Sequence, residues 1–244
     1  MTRKQFKNTA ERIMVAIDVD ELSEARKIIE SIKDLGVGIK VGNQLGTFES
    51  WKAAIDLAHE FGASVFCDTK FKDIPETVKK SSRAITRHQP EFFNIMADNS
   101  MAALEGAREG ARSAYEEYHL KSLPLILGVT VLTSINDDEA RSIYGADSAT
   151  KVQQFASAAA NACRVICSAE EAKMLRSFDT TKDLLLVTPG IRPTWAASGD
   201  QSRIVTPRQA IENGADYLVI GRPVTQPPAE IGTPRDALLK SLKK

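Results

Sequence analysis

A chain of 244 residues with 32 basic and 32 acidic side chains, 43% hydrophobic and 26% charged residues, has the make-up of an ordinary globular protein. Its net charge of zero supplies no long-range field for a nucleic-acid backbone or an anionic membrane, which argues against both as main partners. A chain this long buries roughly 70–75% of its unfolded surface and needs no disulfide or structural metal; Cys67, Cys163 and Cys167 lack metal-ligand spacing and read as buried, reduced thiols.

The first dozen residues are polar, without the apolar stretch of a signal peptide. The longest apolar run, 123–132, is about half of the ~20 residues a membrane span requires, so the chain reads as cytosolic. Short apolar runs recur about every 30 residues, separated by stretches of helical periodicity, the pattern of βαβ units around a parallel sheet. They cover residues 13–18, 37–41, 64–68, 92–96, 125–131, 164–167, 184–188 and 217–220. After the first of them, residues 21–35 place Ala25, Ile28, Ile29 and Ile32 on one helical face. Late in the chain, Thr206-Pro207-Arg208-Gln209 matches a capping box with proline at the first helical position, which starts a helix at Thr206. The polar stretch 192–203 is long enough for a mobile loop that closes over a ligand. His59, His88 and His119 are scattered and read as surface residues.

Eight strand-plus-helix repeats without a composition break predict the α/β class and a single (β/α)8 TIM barrel over residues 1–244. The rival, a doubly wound open sheet, lacks a G-x-G-x-x-G after the first strand and a Walker-type G-K-[ST].

Barrel chemistry belongs at the carboxyl ends of the strands, where few ionisable residues fall. Asp18 ends the first run, Lys40 lies near the end of the second, and the third runs into Asp68-Thr69-Lys70-Phe71-Lys72-Asp73. Asp68 and Lys70, two apart, share a face if the strand continues. The plain alternative is a solvated cluster in a loop, but buried runs precede these charges, and burial is costly unless opposite charges meet. A network of Lys40, Asp68, Lys70 and Asp73 answers that cost, Asp73 reaching it within the chain or across an interface. Flanking carboxylates favour a charged Lys70, an acid rather than an amine nucleophile.

A second grouping follows the last two strands. Pro189-Gly190-Ile191-Arg192 and Gly221-Arg222 each put a glycine and then an arginine beyond a strand end, where barrels commonly bind phosphate. Together they point to a phosphate monoester.

Several segments in order carry a resemblance over nearly the whole chain: Ala16-Ile17-Asp18, Ile39-Lys40-Val41-Gly42, Asp68-Thr69-Lys70-Phe71-Lys72-Asp73-Ile74-Pro75, Val129-Thr130-Val131-Leu132-Thr133-Ser134, Val187-Thr188-Pro189-Gly190-Ile191-Arg192, Gly199-Asp200-Gln201 and Val219-Ile220-Gly221-Arg222-Pro223. The sequence resembles the orotidine 5′-phosphate decarboxylase family of pyrimidine synthesis. The resemblance implies a carboxy-lyase that needs neither cofactor nor metal, with a nucleotide substrate. It makes Lys70 the proton donor, puts Asp68 beside the scissile carboxylate, and gives Asp18 and Lys40 to the ribose hydroxyls. Thr133 and Ser134 hold the pyrimidine, Arg192, Gln201, Gly221 and Arg222 match the phosphate side, and Pro189 is a further substrate-binding residue. It also implies a homodimer in which Asp73 and Thr77 reach the neighbouring subunit's site. Met96 departs from the pattern, since many members have histidine there, so no role is assigned to the fourth strand. The alternatives are a magnesium-dependent sugar-phosphate decarboxylase or aldolase of the same barrel group, a Schiff-base aldolase, and a non-catalytic phosphate-ester-binding barrel.

Overall fold

Strands buried on both faces must be covered outside by helices and filled inside by their own side chains. In the computed structural model, which describes residues 6, 8–196 and 205–242, eight parallel strands close into a barrel in chain order. They are β1 Ile13–Ile17, β2 Gly38–Val41, β3 Val65–Phe71, β4 Phe92–Met96, β5 Leu125–Val129, β6 Arg164–Ile166, β7 Leu186–Thr188 and β8 Tyr217–Ile220. The last pairs back onto the first through Ile13↔Leu218, Met14↔Val219 and Val15↔Ile220. The (β/α)8 expectation holds. Five strands, β1, β2, β5, β6 and β7, are shorter than the apolar runs that announce them; in the last four, Val37, Val131, Cys167 and Leu185 are buried beyond the ladder. The third is longer and continues past Asp68 to Phe71.

The helices are α1 Leu22–Ile32, α2 Asn43–Leu45, α3 Trp51–Glu60, α4 Pro75–Thr86, α5 Met101–Glu117, α6 Asp137–Tyr144, α7 Ser148–Ala159, α8 Ala169–Leu175, α9 Pro207–Glu212, α10 Arg222–Thr225 and α11 Pro234–Leu242. In α1 the buried residues are Ala25, Ile28, Ile29 and Ile32, the face its periodicity gives. The start of α9 is the expected one: the Thr206 side chain accepts from the Gln209 amide, Gln209 caps back, and Pro207 is the first helical residue. All three cysteines are buried and free.

Strand alternation sorts the core into two parts. Ile13, Val15, Ile17, Ile39 and Val41 face the helices, whereas Met14, Ala16, Phe66, Phe92, Leu127, Val129, Tyr217 and Val219 fill the barrel. Near the amino-terminal end, Phe66, Phe92 and Tyr217 pack edge to face, and Phe6 meets Tyr217 edge to face as well, with centroids 5.0 Å apart, adding an aromatic ring from outside the strands. Glycine at position 38 leaves room for Met14, whose sulfur would lie 2.4 Å from a β-carbon there.

On the outside, α4 and α5 lie so close that a β-carbon at Gly110 would stand 2.1 Å from the Lys79 carbonyl oxygen. Lys79–Glu109 and Arg83–Glu117 ion pairs flank the contact. Because α4 begins two residues after Asp73, this contact also sets the direction of the loop leaving β3. Gly110→Ala is expected to destabilise the fold by about 1–3 kcal/mol through overpacking, despite alanine's better helix propensity. The melting temperature followed by circular dichroism should fall by roughly 3–10 °C; an unchanged value would mean that α4 steps aside freely.

Candidate active site

The alternation that points Met14, Ala16 and Phe66 inward points the next residues of the same parity into the barrel mouth: Asp18 after β1, Lys40 on β2 and Asp68 on β3. These side chains meet. The Lys40 ammonium donates to Asp18 Oδ1 at 3.2 Å and to Asp68 Oδ2 at 3.1 Å. The Lys70 ammonium donates to Asp68 Oδ1 at 2.6 Å, and the Asn94 carboxamide donates to the same oxygen at 2.6 Å.

Electrostatics follow from this geometry. Burial opposes ionisation of Asp68, but Lys40, Lys70 and the bonds from Lys70 and Asn94 outweigh it and hold the carboxyl down to about 2. Asp68 is therefore ionised throughout the neutral range. Burial likewise opposes the charge on Lys40, and the Asp68 and Asp18 carboxylates overcome it, keeping its ammonium above the ordinary lysine range. The Lys40 side chain is 9% exposed and that of Lys70 is 33% exposed, so Lys70 is the cation turned toward the opening.

The cluster forms one wall of a pocket of about 200 Å³ whose other walls are largely apolar: Phe66, Val129, Val131, Ile166 and Val219, with Thr133 and Pro189 at its edge. Lys40, Asp68, Pro189 and Val219 are shared with a second, more polar pocket of about 220 Å³. That pocket is lined by Asp18, Gly190, Arg192, Gly221 and Arg222, which brings the two glycine–arginine segments together beside the charged cluster. Arg192 is buried, its amide bonded to the Val205 carbonyl at 3.1 Å, and Ile191 bridges Val205 in parallel.

Other expected residues fall elsewhere. Within the chain Asp73 does not join the Lys40–Asp68–Lys70 cluster: it is exposed, and its Oδ1 accepts from the adjacent Ile74 amide at 2.6 Å, a local turn before α4. Thr77, in the first turn of α4, is exposed, as is Ser134. Gln201 lies outside the described residues. Among the described residues no three His, Cys, Asp or Glu side chains gather as a metal-holding group, and no helix is long and apolar enough to cross a membrane.

Lys70 reaches Asp68 by a route that a straight strand does not provide. Regular pairing of β3 with β4 stops at Cys67↔Phe93 and resumes at Phe71↔Ile95, and Lys70 has φ 49°. The residue that sequence reasoning missed is Asn94, fully buried on β4 opposite this irregularity. A lone amide in the apolar run Phe92-Phe93-Asn94-Ile95-Met96 is the signal that could have found it.

Fold and mouth together define a (β/α)8 barrel of the kind that works on a small anionic ligand, with a lysine–carboxylate centre next to an arginine-lined compartment. The chain belongs to the orotidine 5'-phosphate decarboxylase / HUMPS family, whose sequence model matches residues 11–232. It is 39% identical over 219 residues to the orotidine 5'-phosphate decarboxylase of Vibrio atlanticus (strain LGP32), covering 88% of this chain and 92% of the relative. It is 37% identical over 220 residues to that of Rhodospirillum rubrum, covering 89% and 88%. Among solved structures, the orotidine 5'-phosphate decarboxylase of Lactobacillus acidophilus superposes with a TM-score of 0.79 at 30% identity, covering 95% of this chain and 97% of that one.

Proposed function

We propose that the chain, a single catalytic barrel domain, decarboxylates orotidine 5′-phosphate to uridine 5′-phosphate and CO2 in pyrimidine synthesis. The observation that carries this reading is the Lys70 ammonium, bonded to an ionised Asp68 in a pocket of largely apolar walls that shares lining residues with the compartment of Arg192 and Arg222. The pyrimidine would lie against Phe66, Val129, Ile166 and Val219 near Thr133, with Ser134 on the same loop. The ribose would meet Asp18 and Lys40, and the phosphate Arg192, Gly221, Arg222 and Gln201.

The C6–carboxylate bond breaks, its electron pair remains on C6, and the Lys70 ammonium gives that carbon a proton; solvent then returns one to the amine. A carbanion-like centre without an electron sink needs preorganised charge, and the low-dielectric pocket makes that charge effective. Repulsion between Asp68 and the substrate carboxylate contributes less. Two unit charges ~4 Å apart at an effective dielectric of 20 interact by about 4 kcal/mol, roughly three powers of ten in rate. Stabilisation of the transition state therefore carries the larger share.

We also propose a homodimer in which Asp73 and Thr77 complete the partner's site. Both are exposed in this chain, and they follow β3 on the same rim as Phe48, Ile74 and Met101, large apolar side chains 64%, 66% and 46% exposed. A cytosolic setting suits three thiols that remain reduced.

One assay tests the reaction. Incubation with orotidine 5′-phosphate and EDTA should give uridine 5′-phosphate, followed by the change in pyrimidine absorbance. Activity lost to the chelator would instead favour the magnesium-dependent barrels, and trapping by borohydride a Schiff base. Nucleotide binding without turnover would leave only a binding protein.

A further inference from the structure

Between Cys67↔Phe93 and Phe71↔Ile95 the three residues Asp68, Thr69 and Lys70 stand opposite one residue of β4, Asn94. Such a bulge leaves the backbone groups of the longer strand without ladder partners, and a buried amide must find another acceptor. Lys70 finds it in the side chain of Asn94: its N–H donates to Asn94 Oδ1 at 2.6 Å. The other end of that carboxamide donates to Asp68 Oδ1 at 2.6 Å, the oxygen that also receives the Lys70 ammonium. Thr69 completes the clasp, its hydroxyl donating to the Asn94 carbonyl at 2.6 Å. A non-glycine residue at φ 49° persists only where its surroundings over-determine it. Here one fully buried amide fixes the lysine's main chain and its acceptor together.

We infer that Asn94 is a positioning residue for the reaction, which holds Lys70 in its left-handed conformation and orients the Asp68 carboxylate so that ammonium and carboxylate face the reacting carbon together. The inference rests on the decarboxylase reading above and deepens it. The charged groups around the clasp are Asp18 just after β1, Lys40 from β2, and Asp68 and Lys70 from β3. Asn94 thus does for geometry what Lys40 does for charge.

Two variants test it. Asn94→Ala removes both bonds, and with groups this buried and charged kcat should fall by about 10- to 100-fold. KM for orotidine 5′-phosphate and the affinity for uridine 5′-phosphate should stay within about threefold, because no phosphate or ribose contact is altered. Asn94→Asp is isosteric and keeps the acceptor for the Lys70 amide, but it sets a carboxylate against Asp68. Like charges at that distance raise the affinity of the pair for one proton, which restores a donor at position 94 when bound. Its kcat should therefore be low at pH 8 and rise by about tenfold toward pH 5.5, while the parent protein shows no such rise.

A residue with only a structural part would lower stability without producing that acid recovery. An Asn94→Asp profile parallel to the parent's, or an Asn94→Ala kcat within about twofold of it, overturns the inference. Should the alanine variant not fold, the aspartate variant decides. An inactive parent protein overturns the decarboxylase reading and this inference with it, whereas an active parent with unaltered variants overturns this inference alone.

Discussion

Lys70→Ala is expected to reduce turnover of orotidine 5′-phosphate by more than about 10⁴-fold, the product of losing a proton donor and a fixed positive charge at the developing carbanion. The fold should survive. The side chain is a third exposed, and Asp68 keeps its bonds from Lys40 and Asn94. Circular dichroism and an undiminished affinity for uridine 5′-phosphate would establish that the loss is chemical. Lys70→Arg makes the point sharper: a guanidinium keeps the charge but does not give up its proton. Its turnover should remain far below that of the parent. Near-normal decarboxylation by either folded variant would remove Lys70 from the role of donor.

Arg222→Ala should act through a different part of the molecule. Arg222 and Arg192 line the compartment that shares Lys40, Asp68, Pro189 and Val219 with the reaction pocket, so an anion held there is tied to the reacting ring by a short bridge. Loss of a charged hydrogen bond removes about 1.5–3 kcal/mol, which puts kcat/KM for the phosphorylated substrate lower by roughly 10- to 150-fold. The unphosphorylated nucleoside, which makes no use of that contact, should be turned over within about threefold of the parent's rate. Binding energy gathered at a group remote from the chemistry is what such a comparison measures. Equal losses on both substrates would show that Arg222 supports the barrel rim and not the phosphate.

Most of the barrel is legible in the sequence because the alternation of its strands is enforced from both sides. Ile13, Val15 and Ile17 must meet helices, so Met14, Ala16 and Asp18 must turn inward, and the last of these arrives at the mouth. The same parity delivers Lys40 and Asp68. It also sets Lys70 on the face of Asp68, and the two do meet, but the bulge between them goes unannounced: Asp68-Thr69-Lys70-Phe71 has no glycine, and the left-handed residue is the lysine itself. Asn94 was visible as a polar residue in an apolar run, but its meaning depends on the register between β3 and β4, which a sequence does not print. The apolar walls of the pocket were hidden for the opposite reason, because Phe66, Val129 and Val219 look like any other filling of a barrel. Asp73 and Thr77 could not be placed from one chain, as their expected partner is another copy.

Among the described residues, the aromatic layer of Phe66, Phe92, Tyr217 and Phe6 lies on the amino-terminal side of the reaction pocket, which Phe66 itself lines. With the phosphate seated as proposed, against the rim that Arg192 and Arg222 line, the order of departure follows: the small neutral molecule can slip past the phosphate, but the ring cannot leave before the phosphate lets go.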